Sequence, residues 1–274
     1  MKVMFVFGGM PHYLDALLRK ITDRGVEVVV VMPQKRGATI GKGVKTVEAN
    51  GYEVVFAEER KSVYGKKKIC RLDRIINDEK PNILVVGWPY MLQLVFDCSI
   101  RKALKNNCTK LVVREIPFQT PPYGRIRQYF NKYPMRDEDM RLLSKGSLFF
   151  LKQWVLSKLR KRIYKLADAT LNYSTSAYEI LPSYGVNAND IYVTFNSSIT
   201  DELTKYKLEI NQEEFANKGE YKEIIHIGRL VRWKRVDLLL EAVARLKDKH
   251  TNCRLTIIGD GPELEHLKEQ AKSL

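Results

Sequence analysis

Four cations fall within seven residues of one another: Arg229, Arg232, Lys234 and Arg235. Four residues separate Arg229 from Lys234, which sets a guanidinium and an ammonium on the two sides of one loop. With the free backbone N–H groups at the start of the helix that follows, such a pair suits a diphosphate. The same cations also fit a solvated basic loop capping a core unit. A second charged pair, Arg114-Glu115, ends the strand-like run KLVVRE. Glu115 there either meets a ligand hydroxyl or simply ion-pairs at the strand end. No other carboxylate pair is placed for acid–base work, and no His/Cys cluster suggests a metal.

These residues need elements to hold them. Ile224, Ile225 and Ile227 form a β-branched run that stops at Gly228. From Val236 the apolar residues recur at helical spacing through Leu239, Leu240, Val243 and Leu246. Leu255, Ile257 and Ile258 make a second strand, ending in Gly259-Asp260-Gly261-Pro262. Strand, helix, strand is a right-handed βαβ unit, so both strand ends share the sheet edge where ligands of such sheets bind. That makes Gly228, Gly259 and Gly261 cleft-loop candidates alongside the cations.

The segment Gly228-Arg229-Leu230, Lys234, Val236 to Ala242 and Leu255 to Glu263 resembles the start of the donor domain of retaining GT-B glycosyltransferases. Within these it is most similar to the large "family four", or group 1, class. The resemblance implies an α/β, GT-B-like fold with an N-terminal doubly wound parallel sheet and a second Rossmann-like domain. It implies transfer of a sugar from a UDP- or GDP-sugar, with retention, to a saccharide or lipid-linked acceptor in polysaccharide synthesis, with no cofactor and no metal. Arg229 and Lys234 map onto the family's diphosphate-holding pair. The family's usual Gly after that Lys is Arg235 here. Family members commonly carry a His-Asp or similar pair where this chain has Arg114-Glu115, a pair that contacts the transferred sugar, so Glu115 and Arg114 are the catalytic candidates. The resemblance also implies domains at 1–199 (acceptor side) and 223–274 (donor side, incomplete), joined by a linker at 200–222. A full donor domain of the family carries two glutamates seven residues apart, which nothing here supplies, so the sequence reads as truncated.

The rest of the chain supports a doubly wound sheet. KVMFVF ends at Gly8-Gly9, Pro11 opens a helix carrying Leu14, Leu17, Leu18 and Ile21, and Gly25 precedes the next strand. Gly8 and Gly9 serve a tight turn in any case, and in the resembling family this loop faces the cleft. His12 is either a further cleft residue or a surface residue at the helix start. Residues 35–51 read as a flexible loop, a helix is expected from about 69 to 77, and Ile116 to Gly146 is expected to be an irregular excursion with one short helix. Asn196 is a hinge or cleft candidate, and residues 200–222 look turn-like.

The net charge of +15 lies wholly in the first part: residues 1–200 hold 33 Lys+Arg against 18 Asp+Glu, and residues 201–274 hold 14 against 14. A basic face seeks an anionic partner such as membrane lipid or a phosphorylated acceptor. No nucleic-acid-binding motif appears, so a specific nucleic acid is not expected. A helix from Ser147 to Leu166 concentrates the charge. Its apolar stripe (Leu148, Leu151, Val155, Leu159, Ile163, Leu166) is expected to pack inward, with Lys152, Lys158, Arg160, Lys161, Arg162 and Lys165 opposite. The four scattered cysteines and the absence of a long apolar run suggest a cytoplasmic protein, peripheral on the inner membrane face at most. The alternative function is a non-catalytic or decayed binding protein for an anionic polymer or membrane surface.

Overall fold

The computed structural model describes residues 1–34, 48, 50–137, 140–195, 200–209, 222–248 and 252–274. Contacts divide the chain into two units, Met1–Tyr133 with Lys145–Ile199, and Pro134–Ser144 with Thr200–Leu274.

The first unit is built on a sheet of seven parallel strands: β1 (Lys2–Val6), β2 (Glu27–Met32), β3 (Glu53–Phe56), β6 (Ile83–Gly87), β7 (Lys110–Glu115), β8 (Ala169–Asn172) and β9 (Ile191–Val193). A small antiparallel hairpin, β4 (Glu59–Lys61) and β5 (Lys67–Ile69), stands apart. The strand order is β3-β2-β1-β6-β7-β8-β9, so the winding reverses between β1 and β6. Helices α1 (His12–Thr22), α2 (Leu72–Glu79), α3 (Gln93–Phe96), α4 (Cys98–Asn106), α5 (Ile126–Lys132), α6 (Ser147–Leu166) and α7 (Ala177–Ile180) fill the connections.

The period of two along each strand sorts the core into two layers. Met4, Val6, Leu84, Val86, Leu111 and Val113 face a cluster with Leu72, Ile76, Ile100, Leu104, Ile163 and Tyr164 from α2, α4 and α6. Val28, Val30 and Met32 face the other way, against Leu14 and Leu18 of α1, with Phe5 and Phe7 at the margin. Near-continuous Val/Ile/Leu strands are what a parallel sheet covered on both faces requires.

Several boundaries differ from the sequence expectation. Where a helix is expected from about 69, Lys67–Ile69 instead closes the β4–β5 hairpin and the helix begins at Leu72. Asp97 accepts a hydrogen bond from the Ser99 amide at 3.0 Å and caps the start of α4, separating it from α3. Helix α8 (Asp201–Glu209) occupies part of the stretch that looks turn-like. The loop at 35–47, residue 49 and Asn196 lie outside the described residues.

Helix α6 has its expected bounds but not its expected orientation. Ile163, Tyr164 and Ser157 are buried, whereas Leu148 (79%), Leu151 (57%) and Val155 (44%) are exposed, as is Trp154. Of the expected stripe only Ile163 is fully buried, and Leu166 is exposed as well; the first turns pack on α5 by another face, through Phe149 against Phe130 and Phe150 against Arg127.

The second unit holds a parallel pair, β10 (Lys222–Ile227) and β11 (Cys253–Ile258). Helices α9 (Val236–Asp248) and α10 (Leu264–Ser273) follow them. Leu230, Val236, Leu240 and Leu267 are buried against Leu255, Ile257 and Leu264. The opposite sheet face shows Ile225, Ile227 and Ile258 to solvent.

Candidate active site

In open α/β sheets ligands sit outside the strand C-termini, at the point where the winding reverses. In the large sheet that point lies between the loop after β1 and the loop after β6. Gly8 and Gly9 follow β1 after Phe7, and Gly9 has φ 144°. His12 opens α1, but its side chain lies outside the described residues.

Arg114 and Glu115, adjacent in sequence, do not act together. Arg114 is in register with Gly87 and Leu171, on the face shared by Phe7 and Tyr173. Its guanidinium lies over two rings, 5.6 Å from the Phe7 centroid and 4.7 Å from that of Tyr173. Burial pulls its pKa down, with Tyr13 the one group pulling it back up. Gly87, its register partner, leaves the strand bare beneath it; a Cβ there would press on the Arg114 carbonyl oxygen at 3.1 Å and meet its Cβ at an ordinary 3.8 Å.

Glu115 points to the opposite face and is 5% exposed. It accepts a hydrogen bond from the Tyr164 hydroxyl at 3.0 Å, and the Arg160 Nε lies 3.8 Å away. Burial raises its pKa, partly offset by Arg160, the Tyr164 hydroxyl and the Ile116 N–H. The Arg160 guanidinium stacks 5.0 Å from the Trp88 ring, so Glu115, Arg160 and Trp88 tie α6 to the strand ends. The ion pair of Glu115 is therefore with α6, not with its neighbour Arg114.

In the second unit, the loop after β10 carries Arg229 and Lys234. A single helical turn, Arg232–Lys234, precedes α9. Lys234 is exposed, its ammonium 4.7 Å from the Trp233 ring, and Arg229 is half-buried. Among the described residues neither Arg229 nor Lys234 has a carboxylate partner. Arg235, standing where the resembling family has Gly, takes the left-handed conformation at φ 52°. Asp237 holds it there, with Nη2–Oδ2 at 2.8 Å and Nε–Oδ1 at 3.0 Å. The loop thus keeps a glycine-type turn without the glycine.

Gly259 and Gly261 serve close packing. A Cβ at Gly259 would fall 1.9 Å from the Gly228 carbonyl oxygen, and one at Gly261 would fall 2.2 Å from that of Leu230. The Leu230 amide donates to Asp260 O at 2.9 Å and the Glu263 amide to Leu230 O at 3.1 Å, locking the two loops together. At Gly228 a Cβ would meet only the His226 ring at 3.6 Å, an ordinary contact.

The aromatic walls around Arg114, Phe7 and Tyr173, are absent from the sequence reading. Their signal is an aromatic residue just past each of two strand ends that share a face. Among the described residues no group of three His, Cys, Asp or Glu is arranged to hold a metal ion, and no helix is long and apolar enough to cross a membrane. An open groove of about 480 Å³ lies on α6, lined by Trp154, Val155, Lys158, Leu159, Lys161, Arg162 and Lys165.

Residues 208–274 match the family model described as glycosyl transferases group 1. The Anabaena protein HepE in complex with UDP superposes with a TM-score of 0.54 at 16% identity, over 100% of this chain and 66% of that one. HepE in complex with UDP-glucose gives 0.50 at 16% identity over the same shares. A UDP-N-acetylglucosamine 2-epimerase from Rickettsia bellii gives 0.44 at 14% identity, over 100% of this chain and 65% of that one. No curated protein matches the chain by sequence. The chain thus spans slightly less than two thirds of the length of these structures. Residues 208–274 are thus similar to the glycosyl transferases group 1 family, and the chain has a GT-B type of α/β fold.

Proposed function

We propose that the chain takes part in transferring a sugar from a nucleotide-diphosphate sugar to a saccharide or lipid-linked acceptor, with retention at the anomeric carbon. The observation that carries this reading is the loop Gly228–Arg235, which presents Arg229 and Lys234 without carboxylate partners among the described residues, inside the family-matching segment. In the reaction the bond from the anomeric carbon to the diphosphate oxygen breaks, a bond to the acceptor oxygen forms, and the acceptor hydroxyl's proton passes to the departing diphosphate. Negative charge grows on the departing diphosphate, where two fixed cations stabilise it more than they stabilise the bound donor. The HepE complexes with UDP and UDP-glucose favour a uridine donor. Titration of the chain with UDP and GDP, followed by R229A and K234A, tests the reading. UDP is expected to bind, and each variant to lose about tenfold in affinity. Absence of binding of either nucleotide, or affinities unaltered in both variants, would overturn it.

The exposed start of α6 favours a membrane setting at the cytoplasmic face. Leu148, Leu151, Trp154 and Val155 stand free, and Lys158, Lys161, Arg162 and Lys165 follow on the same helix. An apolar tip with a Trp and a basic body fits the interface of an anionic bilayer. The chain is expected to co-sediment with phosphatidylglycerol vesicles and not with phosphatidylcholine vesicles, and the double variant L151E/W154E to stay in solution. Equal binding to both vesicle types, or none, would remove the membrane from the proposal. If UDP binding also fails, the alternative of a non-catalytic anion-binding protein takes its place.

A further inference from the structure

We propose that Arg114 is a pre-built oxyanion clamp at the switch point of the large sheet, and that the acceptor bound there carries a carboxylate or a phosphate. The word acceptor rests on the glycosyl-transfer reading; the anion site rests on the geometry of the first unit alone.

Three features set this arginine apart from a surface cation. First, it has no partner of opposite charge among the described residues. No hydrogen bond or ion pair there reaches the guanidinium, whose ring contacts are with Phe7 and Tyr173. Residues 35–47, 49 and 196–199, which complete this part of the chain, contain no Asp or Glu. An arginine taken partly out of water without a carboxylate is a cost that a purely structural position avoids, because Met or Leu would pack between the two rings without it.

Second, the surroundings fix its shape. The two aromatic rings hold the guanidinium by their faces, as cation–π contacts do. Its in-plane N–H groups have no acceptor among the described residues, and they form the fork that takes a carboxylate or phosphate by two parallel hydrogen bonds. A lysine ammonium in this position would have no fork to orient.

Third, the place is where such sheets bind ligands. Arg114 starts on β7 and crosses the bare backbone of Gly87 on β6 to reach Phe7, the residue just past β1. It therefore spans the gap between β1 and β6, where the winding reverses. Helix α1 begins five residues beyond Phe7, and its N-terminal dipole adds to the positive potential there. The lowered pKa of Arg114 agrees with partial desolvation, and the group remains charged at neutral pH.

The test compares three probes, glucose 6-phosphate, glucuronate and glucose, by titration against the full chain and against R114M and R114K. One or both anionic sugars are expected to bind the unaltered chain about tenfold more tightly than glucose, a preference that R114M abolishes. Preference for glucuronate alone assigns a carboxylate acceptor, and preference for glucose 6-phosphate alone a phosphorylated one. R114M is expected to melt at the same temperature or higher, since it removes an unpaired, partly desolvated charge. Should R114M fail to fold, R114K decides: it keeps the charge but not the fork, and the preference is expected to fall severalfold. Equal binding of all three sugars to the unaltered chain, or a preference that survives R114M or is undiminished in R114K, overturns the proposal. UDP binding at the Arg229–Lys234 loop is measured separately, so the two readings fail independently.

Discussion

At the end of β7 the Arg114 guanidinium is wedged over two rings at 4.7 and 5.6 Å, within a sheet covered on both faces. At the end of β10 Lys234 stands exposed beside Trp233, on a two-stranded sheet whose Ile225, Ile227 and Ile258 are bare. Both are cations at the C-terminal edge of parallel strands. The first is held in place before any ligand arrives, in a setting where water screens it little. The second stands on a loop whose backbone is bonded to the loop after β11, but its own side chain is exposed and the turn beside it rests on one left-handed residue with a half-exposed ion pair. Rigid, partly desolvated cations select by shape and charge together, whereas exposed ones attract broadly and weaken with salt.

The strongest way to break the contrast is to remove what fixes the first edge. E115A leaves Arg160 buried without its carboxylate and the Tyr164 hydroxyl without its acceptor. It is expected to cost about 3 kcal/mol in urea unfolding; a loss below half that would mean the α6 anchor is unimportant. Next comes the double variant R229A/K234A, expected to weaken UDP binding about a hundredfold while leaving the melting temperature unchanged. Raising the salt should weaken UDP binding to the unaltered chain more steeply than it weakens any Arg114-dependent anion preference. Equal salt slopes would erase the distinction drawn here.

A third prediction sharpens the picture of Glu115 by its pH dependence. Burial raises the folded-state pKa of this carboxyl above its unfolded value. Its neutral form therefore contributes stability that is complete below about pH 4.3, the unfolded value, and is lost as pH rises through the folded one. The stability difference between the unaltered chain and E115Q should shift against the unaltered chain across that interval, as urea midpoints would record. A flat difference would place Glu115 in a wetter setting than the one described.

The smallest effect concerns the second edge. Arg235 at φ 52° carries backbone strain that glycine does not, and its ion pair with Asp237 is largely exposed. R235G is expected to gain about 0.5 to 1 kcal/mol, and R235A, which keeps the strain, to gain nothing. A gain in R235A equal to that in R235G would show that the turn is unstrained.

Much of the architecture was legible because parallel sheets write themselves into the chain as short Val/Ile/Leu runs closed by Gly or Pro. The bounds of β7 and α6 emerge directly from such patterns, and so does the βαβ order after Ile224. The β4–β5 hairpin was not legible, because a lysine-rich run carries no period of two to mark it as strand. The outward face of α6 was hidden for a different reason. Its first turns meet α5 through Phe149 and Phe150 rather than through the leucine stripe, and periodicity states which residues share a face but not what lies opposite.

The sequence by itself determined the βαβ order after Ile224, the doubly wound start of the chain, the basic excess of the first two hundred residues and the placing of Arg229 and Lys234 on one loop, because each follows from local spacing. Only the tertiary structure decided what Arg114 and Glu115 each meet. Neighbours on a strand point to opposite faces, so one reached Phe7, two strands away across Gly87, and Tyr173, just past the adjacent β8, while the other reached a helix more than forty residues on. Those partners are brought together by the sheet order, and no local pattern in the chain encodes which strand lies beside which.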